Sequence, residues 1–290
     1  MINLTVGGKP HQIPGSWNEL SALQVKLYAD YIFKNFNLLF QKVEDRLEVR
    51  DENLLEISRI GLLYGLLDLP WETFVVIGEE QRYGLIYDHG LLDFFFGKNT
   101  LTKNPLPVVD INGNLLYGPV DYFFQISVAE FVFADMFYVA YRYSKDIKEL
   151  DKLAAVLFRP ADQHANPEAA DYSGDIRQKF NRHNIESRIP LTSQLQEAEK
   201  ISIFLWYDAC RIRLAESFPH VFNTNNEKKA SNQNAGWKGI ILEMSQGDVT
   251  KFSAVEYSAT LILFEELERR AVQALKMKAD IENQKNKTKS

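Results

Sequence analysis

The stretch VAEFVFADMFYVAYRYSKDIKELDKLAAVLFRP, Val128 to Pro160, decides the fold class. Ser127 and Glu130 have the spacing of a capping box, so a helix opens at Val128. Phe131, Val132, Phe133, Met136, Phe137, Val139, Tyr141 and Tyr143 then surround it, leaving only Asp135, Tyr138 and Arg142 as a narrow polar stripe. A helix apolar on nearly every side belongs inside a protein. After Ser144-Lys145-Asp146, Leu150, Leu153, Ala154 and Leu157 recur on one side of a second helix. Pro160 lacks an amide hydrogen and ends it.

Working outward, the same helical period repeats. Ser16 and Glu19 form an expected capping box before Leu20, Leu23, Leu27 and Tyr31, which predicts a helix from about Trp17. A second helix is expected over Glu52–Leu67, stopped by Pro70, and Glu79–Phe96 reads as helical, while Phe74–Ile77 fits a strand or a helical turn equally well. Ile176–Ile185 reads as a short basic helix, and Thr192 or Ser193 starts a long one ending near Ser217. That long helix is an expected partner for Val128–Tyr143. Trp237, Ile240, Ile241 and Met244 mark a short helix, and a capping box at Ser253 and Glu256 opens another whose face is Leu261, Phe264, Leu267, Ala271 and Leu275.

Strand signals are few. Ile2–Val6 and His11–Ile13 flank a glycine turn, and Asn112-Gly113-Asn114 between Val108–Ile111 and Leu115–Tyr117 is the strongest hairpin signal. A lone hairpin is marginal in water, so the two are expected to pair or lie side by side. The expected fold is mainly α: a multi-helix core with one or two small β-hairpins and a linked C-terminal helical pair. The expected boundaries are a helical core domain at 1–222, a linker at 223–236 (NTNNEKKASNQNAG) too polar to bury surface, the helical pair at 237–279 and a frayed tail at 280–290.

The 290 residues are 46% hydrophobic and 25% charged, an ordinary globular balance. A formal charge of −6 argues against a protein that coats nucleic acid. One cysteine, Cys210, excludes an intramolecular disulfide framework. Neither a signal-peptide pattern nor an apolar run of the ~20 residues that a span needs is present, so a cytoplasmic protein without membrane attachment is expected.

No catalytic, cofactor or metal site is legible. Asp162, His164 and a distant His183 come nearest to metal spacing, but ordinary loop polarity explains them better. Asp110-Ile111-Asn112-Gly113-Asn114 has its glycine at the fourth position, not the sixth of a calcium loop. Cys210 shares its helix side with Trp206 and Leu214 and reads as a small core residue. The run Arg177, Lys179, Arg182, His183 and Arg188 reads as a solvated helix face.

Four motifs in this order, SWNELSALQ (Ser16–Gln24), YGPVDYF (Tyr117–Phe123), ELDKLAAVLFRP (Glu149–Pro160) and GWKGIILEMSQGDVTKF (Gly236–Phe252), resemble helical proteins of the tail-morphogenesis modules of bacterial viruses and prophages. Such proteins are commonly tail-assembly chaperones. The resemblance implies a non-enzymatic protein in the infected host cytoplasm that engages a tape-measure or tail-tube protein. The competing expectations are a tail, baseplate or connector component retained in the particle, and an enzyme with a site near residues 161–183. The long polar loop after Pro160 and the tethered C-terminus are the expected functional parts, so Arg177, Lys179, Arg182, Trp237, Ile241, Phe264 and Leu267 are the candidate partner-binding residues. The C-terminal pair is expected to pack on the core or on a second copy of the chain.

Overall fold

The computed structural model describes residues 1–6, 9–44, 46–165, 168, 174–222, 241–242, 244–245 and 248–287. It is mainly helical, and the strands among the described residues form three separate two-stranded antiparallel sheets. No helix among the described residues is long and apolar enough to cross a membrane.

Strands β1 (Ile2–Val6) and β2 (Lys9–Ile13) make the first hairpin, with Ile2 opposite Ile13. The capping box expected at Ser16 does not form. Trp17–Glu19 is a single 3-10 turn, and the Glu19 carboxylate accepts instead from the Gly15 amide at 2.8 Å and from the Met1 amino group. The box lies one turn later: Ser21 Oγ accepts from the Gln24 amide and Gln24 Oε1 from the Ser21 amide, opening α1 (Ala22–Tyr28). A π-helical turn over Ala29–Phe33 and α2 (Phe36–Leu39) lead to β3 (Phe40–Val43) and β4 (Arg46–Val49), a hairpin the sequence did not announce. Its turn places Glu44 at φ +54, where glycine or asparagine would have been legible.

Helix α3 (Glu52–Leu67) has the expected bounds because Asp51 accepts from the Leu54 amide at one end. At the other end Asp68 turns left-handed, two residues ahead of Pro70. The ambiguous stretch that follows is helical in pieces, α4 (Trp71–Val75), α5 (Glu79–Tyr83), a π-helical turn over Gly84–Asp88 and α6 (Asp93–Phe96). Strands β5 (Val108–Ile111) and β6 (Asn114–Tyr117) are joined through Asn112 and Gly113 with φ of 53° and 85°, the positive pair of a tight hairpin turn. This hairpin does not pair with β1–β2. Its edge is completed by the backbone of Arg159, with Tyr117 N to Arg159 O at 2.8 Å and Arg159 N to Tyr117 O at 3.1 Å.

Helices α7 (Val128–Ser144) and α8 (Ile147–Leu157) follow the decisive stretch as expected, capped by Ser127 and Asp146. The short basic helix does not exist. Residues 175–181 are non-helical, Arg177 forms a backbone bridge with Ala161, and only Arg182–Asn184 makes a 3-10 turn before α9 (Ile185–Thr192). The long helix begins later than expected, as α10 (Glu197–Ser217), followed by α11 (Pro219–Phe222). The expected box at Ser253 is absent too: α12 (Phe252–Glu256) already includes that serine, and α13 (Thr260–Lys287) opens after a break.

The chain divides into two units, Met1–Pro107 with Ser193–Ala209, and Val108–Thr192 with Cys210–Ser290. In the first, Trp17 meets Tyr28 and Phe95 edge-on and donates Nε1–H to the Phe94 carbonyl at 3.0 Å. Helix α1 lies close on α3 because Gly65 has no side chain; a Cβ there would stand 2.2 Å from Leu27 Cδ1. Trp206 on α10 donates Nε1–H to the Thr102 carbonyl at 3.0 Å, so the indoles of both Trp17 and Trp206 find acceptors.

In the second unit Val128, Ile241 and Leu263 form a core against which Val132, Met244, Phe252, Val255 and Leu267 pack. Phe264 sits among Phe131, Phe218 and Phe222 with ring centroids 5.4, 5.8 and 5.3 Å away. Backbone bonds from Val128 N to Ser258 O and from Thr260 N to Ile126 O tie the start of α7 to the break before α13. The C-terminal helices therefore pack on α7 of the same chain. The polar linker expected at 223–236, like Trp237, lies outside the described residues.

Candidate functional site

The notable chemistry of the second unit begins at Glu130. As the third residue of α7 its amide donates to Ser127 Oγ at 3.2 Å, which is half of the expected capping box. Its carboxylate does not turn back to complete the box. It is buried and accepts from two arginines, Arg177 Nη1 at 2.7 Å and Arg159 Nη1 at 3.0 Å. Arg159 arrives one residue after Phe158, the C-cap of α8, and is held in place by the backbone pairing with Tyr117. Arg177 arrives from the extended segment that crosses Ala161, where Asp162 N donates to Ile176 O and Gln178 N to Pro160 O.

Asp175 closes the cluster. It holds Arg177 through Nε at 2.8 Å and Nη2 at 2.8 Å, a fork-to-fork pair, and stands 3.6 Å from Arg159 Nη2. The preceding Gly174 has φ +82, and a Cβ there would stand 2.6 Å from Gln125 Nε2, so both backbone and space call for glycine. Arg188 on α9 adds a third buried guanidinium, donating Nε to the Ala155 carbonyl at 2.8 Å.

Burial acts against the charged form of all three arginines, and neighbours decide the balance. Arg177 suffers desolvation, but Glu130 and Asp175 outweigh it and hold its pKa above the usual value. Arg159 loses more to burial than Glu130 restores, and the nearby Arg177 lowers it further. Arg188, with no bonded carboxylate, is brought down to about 10 by burial and by Arg159.

Glu130, Arg159, Asp175 and Arg177, though not Arg188, line a cavity of about 1120 Å³ whose wall also includes Asp162, His164 and Lys179. The sequence placed Asp162, His164, Arg177 and Lys179 near one another in the chain. It gave Glu130 only a capping role and did not single out Arg159 or Asp175. Among the described residues no group of three or more His, Cys, Asp or Glu side chains could hold a metal ion. Cys210 is buried, and desolvation, followed by the Asp121 charge, pushes its thiol far up, so it stays protonated as a core residue does.

The candidate partner-binding residues separate into two groups. Arg177 is enclosed, which corrects its placement on a solvated helix face, and Ile241, Phe264 and Leu267 are taken up in the internal core. Lys179 and Arg182 remain exposed. The expected continuation of the apolar face to Leu275 also fails: from Gln273 to Lys285 every residue of α13 is exposed, Leu275 by 54%, Met277 by 64% and Ile281 by 52%. Comparison with protein-family models, with curated proteins and with solved structures finds no match.

Proposed function

We propose that this chain is a non-enzymatic protein-binding protein of phage tail morphogenesis, similar to a tail-assembly chaperone, which acts in the host cytoplasm on a tape-measure or tail-tube protein. The observation that carries the reading is the distal half of α13. A helix of 28 residues extends about 42 Å at ~1.5 Å per residue. Its first turns are anchored by Leu263 and Phe264, and the remainder presents Leu275, Met277 and Ile281 to solvent without burying any of them.

An anchored helix with an uncovered apolar complement suits helix-in-groove recognition, in which a partner supplies the missing contacts. Met277 and Ile281 lie one turn apart and can enter one groove together. The resemblance of the four sequence motifs supplies the identity of the partner. The absence of membrane-length helices among the described residues fits the setting.

Co-expression with a tape-measure protein tests the reading. The full chain is expected to co-purify with that protein and to raise its soluble fraction. The double variant Met277→Asp/Ile281→Asp is expected to lose both effects while melting at the wild-type temperature. A wild-type chain that neither co-purifies nor changes the partner's solubility would sink the proposal.

A further inference from the structure

Among the described residues, nothing bonds to the outer edge of β4, the second strand of the β3–β4 hairpin. Arg46, Leu47, Glu48 and Val49 are all exposed, Leu47 by 55% and Val49 by 40%. The side chains of Arg46 and Glu48 form no hydrogen bond or ion pair among the described residues. Open edges are templates for further pairing, and proteins usually blunt them with proline, with charge or with a covering element. The charges on β4 are of both signs, so they repel a second strand in some registers and attract it in others.

The register within the hairpin fixes which groups the edge presents. The Arg50 amide donates to the Leu39 carbonyl at 2.7 Å, and Arg46 stands opposite Val43 where the turn closes. Bonded pairs in an antiparallel ladder recur at every second residue, so Arg46, Glu48 and Arg50 turn their backbone groups toward β3. Leu47 and Val49 turn theirs outward. A second copy joined to this edge about a two-fold axis perpendicular to the sheet runs antiparallel to it, and outward-facing residues must bond to outward-facing residues. Setting Leu47 opposite Val49 of the second copy brings Glu48 against Glu48. The same step in the other direction brings Arg46 against Arg46. Setting Leu47 opposite Leu47 instead places each Arg46 across from a Glu48.

We propose that β4 is a self-association edge, at which two copies of this chain pair antiparallel about a two-fold axis at Leu47. The product is a four-stranded sheet in the order β3–β4–β4–β3. Leu47 bonds to its counterpart through both backbone groups, and Arg46–Glu48 pairs flank it on one face. On the other face Leu47 and Val49 of both copies meet, and Phe40, opposite Val49 in its own hairpin, extends the apolar row. Phe36 and Phe96 stand with ring centroids 5.1 and 6.3 Å from that of Phe40, so the row continues into the aromatic residues of the same unit. Strands this short bury little area, which suits a reversible dimer rather than a permanent one. The site is independent of α13 and of any tail protein.

Sedimentation velocity of the full chain across a wide range of concentration tests the edge. The wild-type chain is expected to pass reversibly from monomer to dimer. Arg46→Glu and Glu48→Arg each turn the flanking pairs into like charges, so each alone is expected to weaken the dimer by roughly tenfold or more. Mixed in equal amounts, the two variants are expected to associate about as well as wild type, because the Arg46→Glu edge is acidic where the Glu48→Arg edge is basic. Both positions are exposed, so the melting temperatures of the variants should match wild type. Met277→Asp/Ile281→Asp is expected to leave this association unchanged. A chain that stays monomeric at every concentration overturns the proposal. So does a dimer that neither charge reversal weakens, a mixture of the two reversals that fails to associate, or a dimer that the α13 variant abolishes.

Discussion

Helix α7 is apolar on nearly every side and α13 along one face, and neither pattern foretells what the structure buries. Helix α7 buries its polar residues: Glu130, Asp135 and Tyr138 point inward, while Met136 and Tyr143 face solvent. The distal half of α13 buries nothing, although Leu275, Met277 and Ile281 are apolar. Hydrophobicity alone therefore ranks neither helix correctly. A polar group goes inside when a fixed partner waits there, as Arg177 and Arg159 do for Glu130 and Arg211 Nε does for Asp135 at 2.6 Å. An apolar group stays outside when the chain offers nothing to cover it.

The comparison breaks most sharply at Glu130. Removing its carboxylate leaves the buried Arg159 and Arg177 facing Asp175 alone, and Glu130→Ala should cost about 3–5 kcal/mol in chemical denaturation. A loss within experimental error would mean that the cluster does not hold α7 to the segment carrying Arg177. Phe137 ranks below it. Its ring is half-buried beneath the Lys152 ammonium, 5.6 Å from the centroid, so Phe137→Ala should cost roughly 1–2 kcal/mol, about half of full aromatic burial. A loss as large as that at Glu130 would place the ring deeper than described.

On α13 the expected effects on stability are smaller. Met277→Asp/Ile281→Asp should shift stability by no more than ~0.5 kcal/mol in the isolated chain, as exposed positions do. A clear drop in melting temperature would show that the distal half is already covered, for instance by a second copy. The smallest effect is electrostatic. Side-chain hydrogen bonds from Arg269 and Arg270 hold the Glu266 carboxyl down to about 2. A depressed carboxyl stabilises above its unfolded value of ~4.3 and loses that contribution as pH falls through the folded value. Far-UV circular dichroism should thus show a slight loss of helix between those pH values that is smaller in Glu266→Gln. Because these groups are exposed, added salt should diminish the difference.

Local features were legible wherever one residue and its near neighbours decide the outcome. Asp51 fixed the start of α3, Ser127 the start of α7, and Asn112-Gly113 the β5–β6 turn. The misreadings share one cause. Glu19 and Glu130 each have the spacing for a capping box, but distant or terminal partners take their carboxylates, and local spacing cannot register a partner such as Arg177, 47 residues away. Charges spaced like a helix face made Arg177 look solvated, when Glu130, Asp175 and the Leu157 carbonyl hold it extended. The cavity was illegible for the same reason, since its walls come from Phe124–Glu130, Arg159, Asp162–Ala165, Asp175–Asn184 and Tyr257–Ala259.

The backbone bridge between Ala161 and Arg177 has an architectural consequence. With Asp162 N bonded to Ile176 O and Gln178 N to Pro160 O, the chain leaves and re-enters the domain through one closed gate. The gate sets the register in which Asp175 and Arg177 reach Glu130, and closing it costs only ~0.6 kcal/mol more for each doubling of the length it encloses.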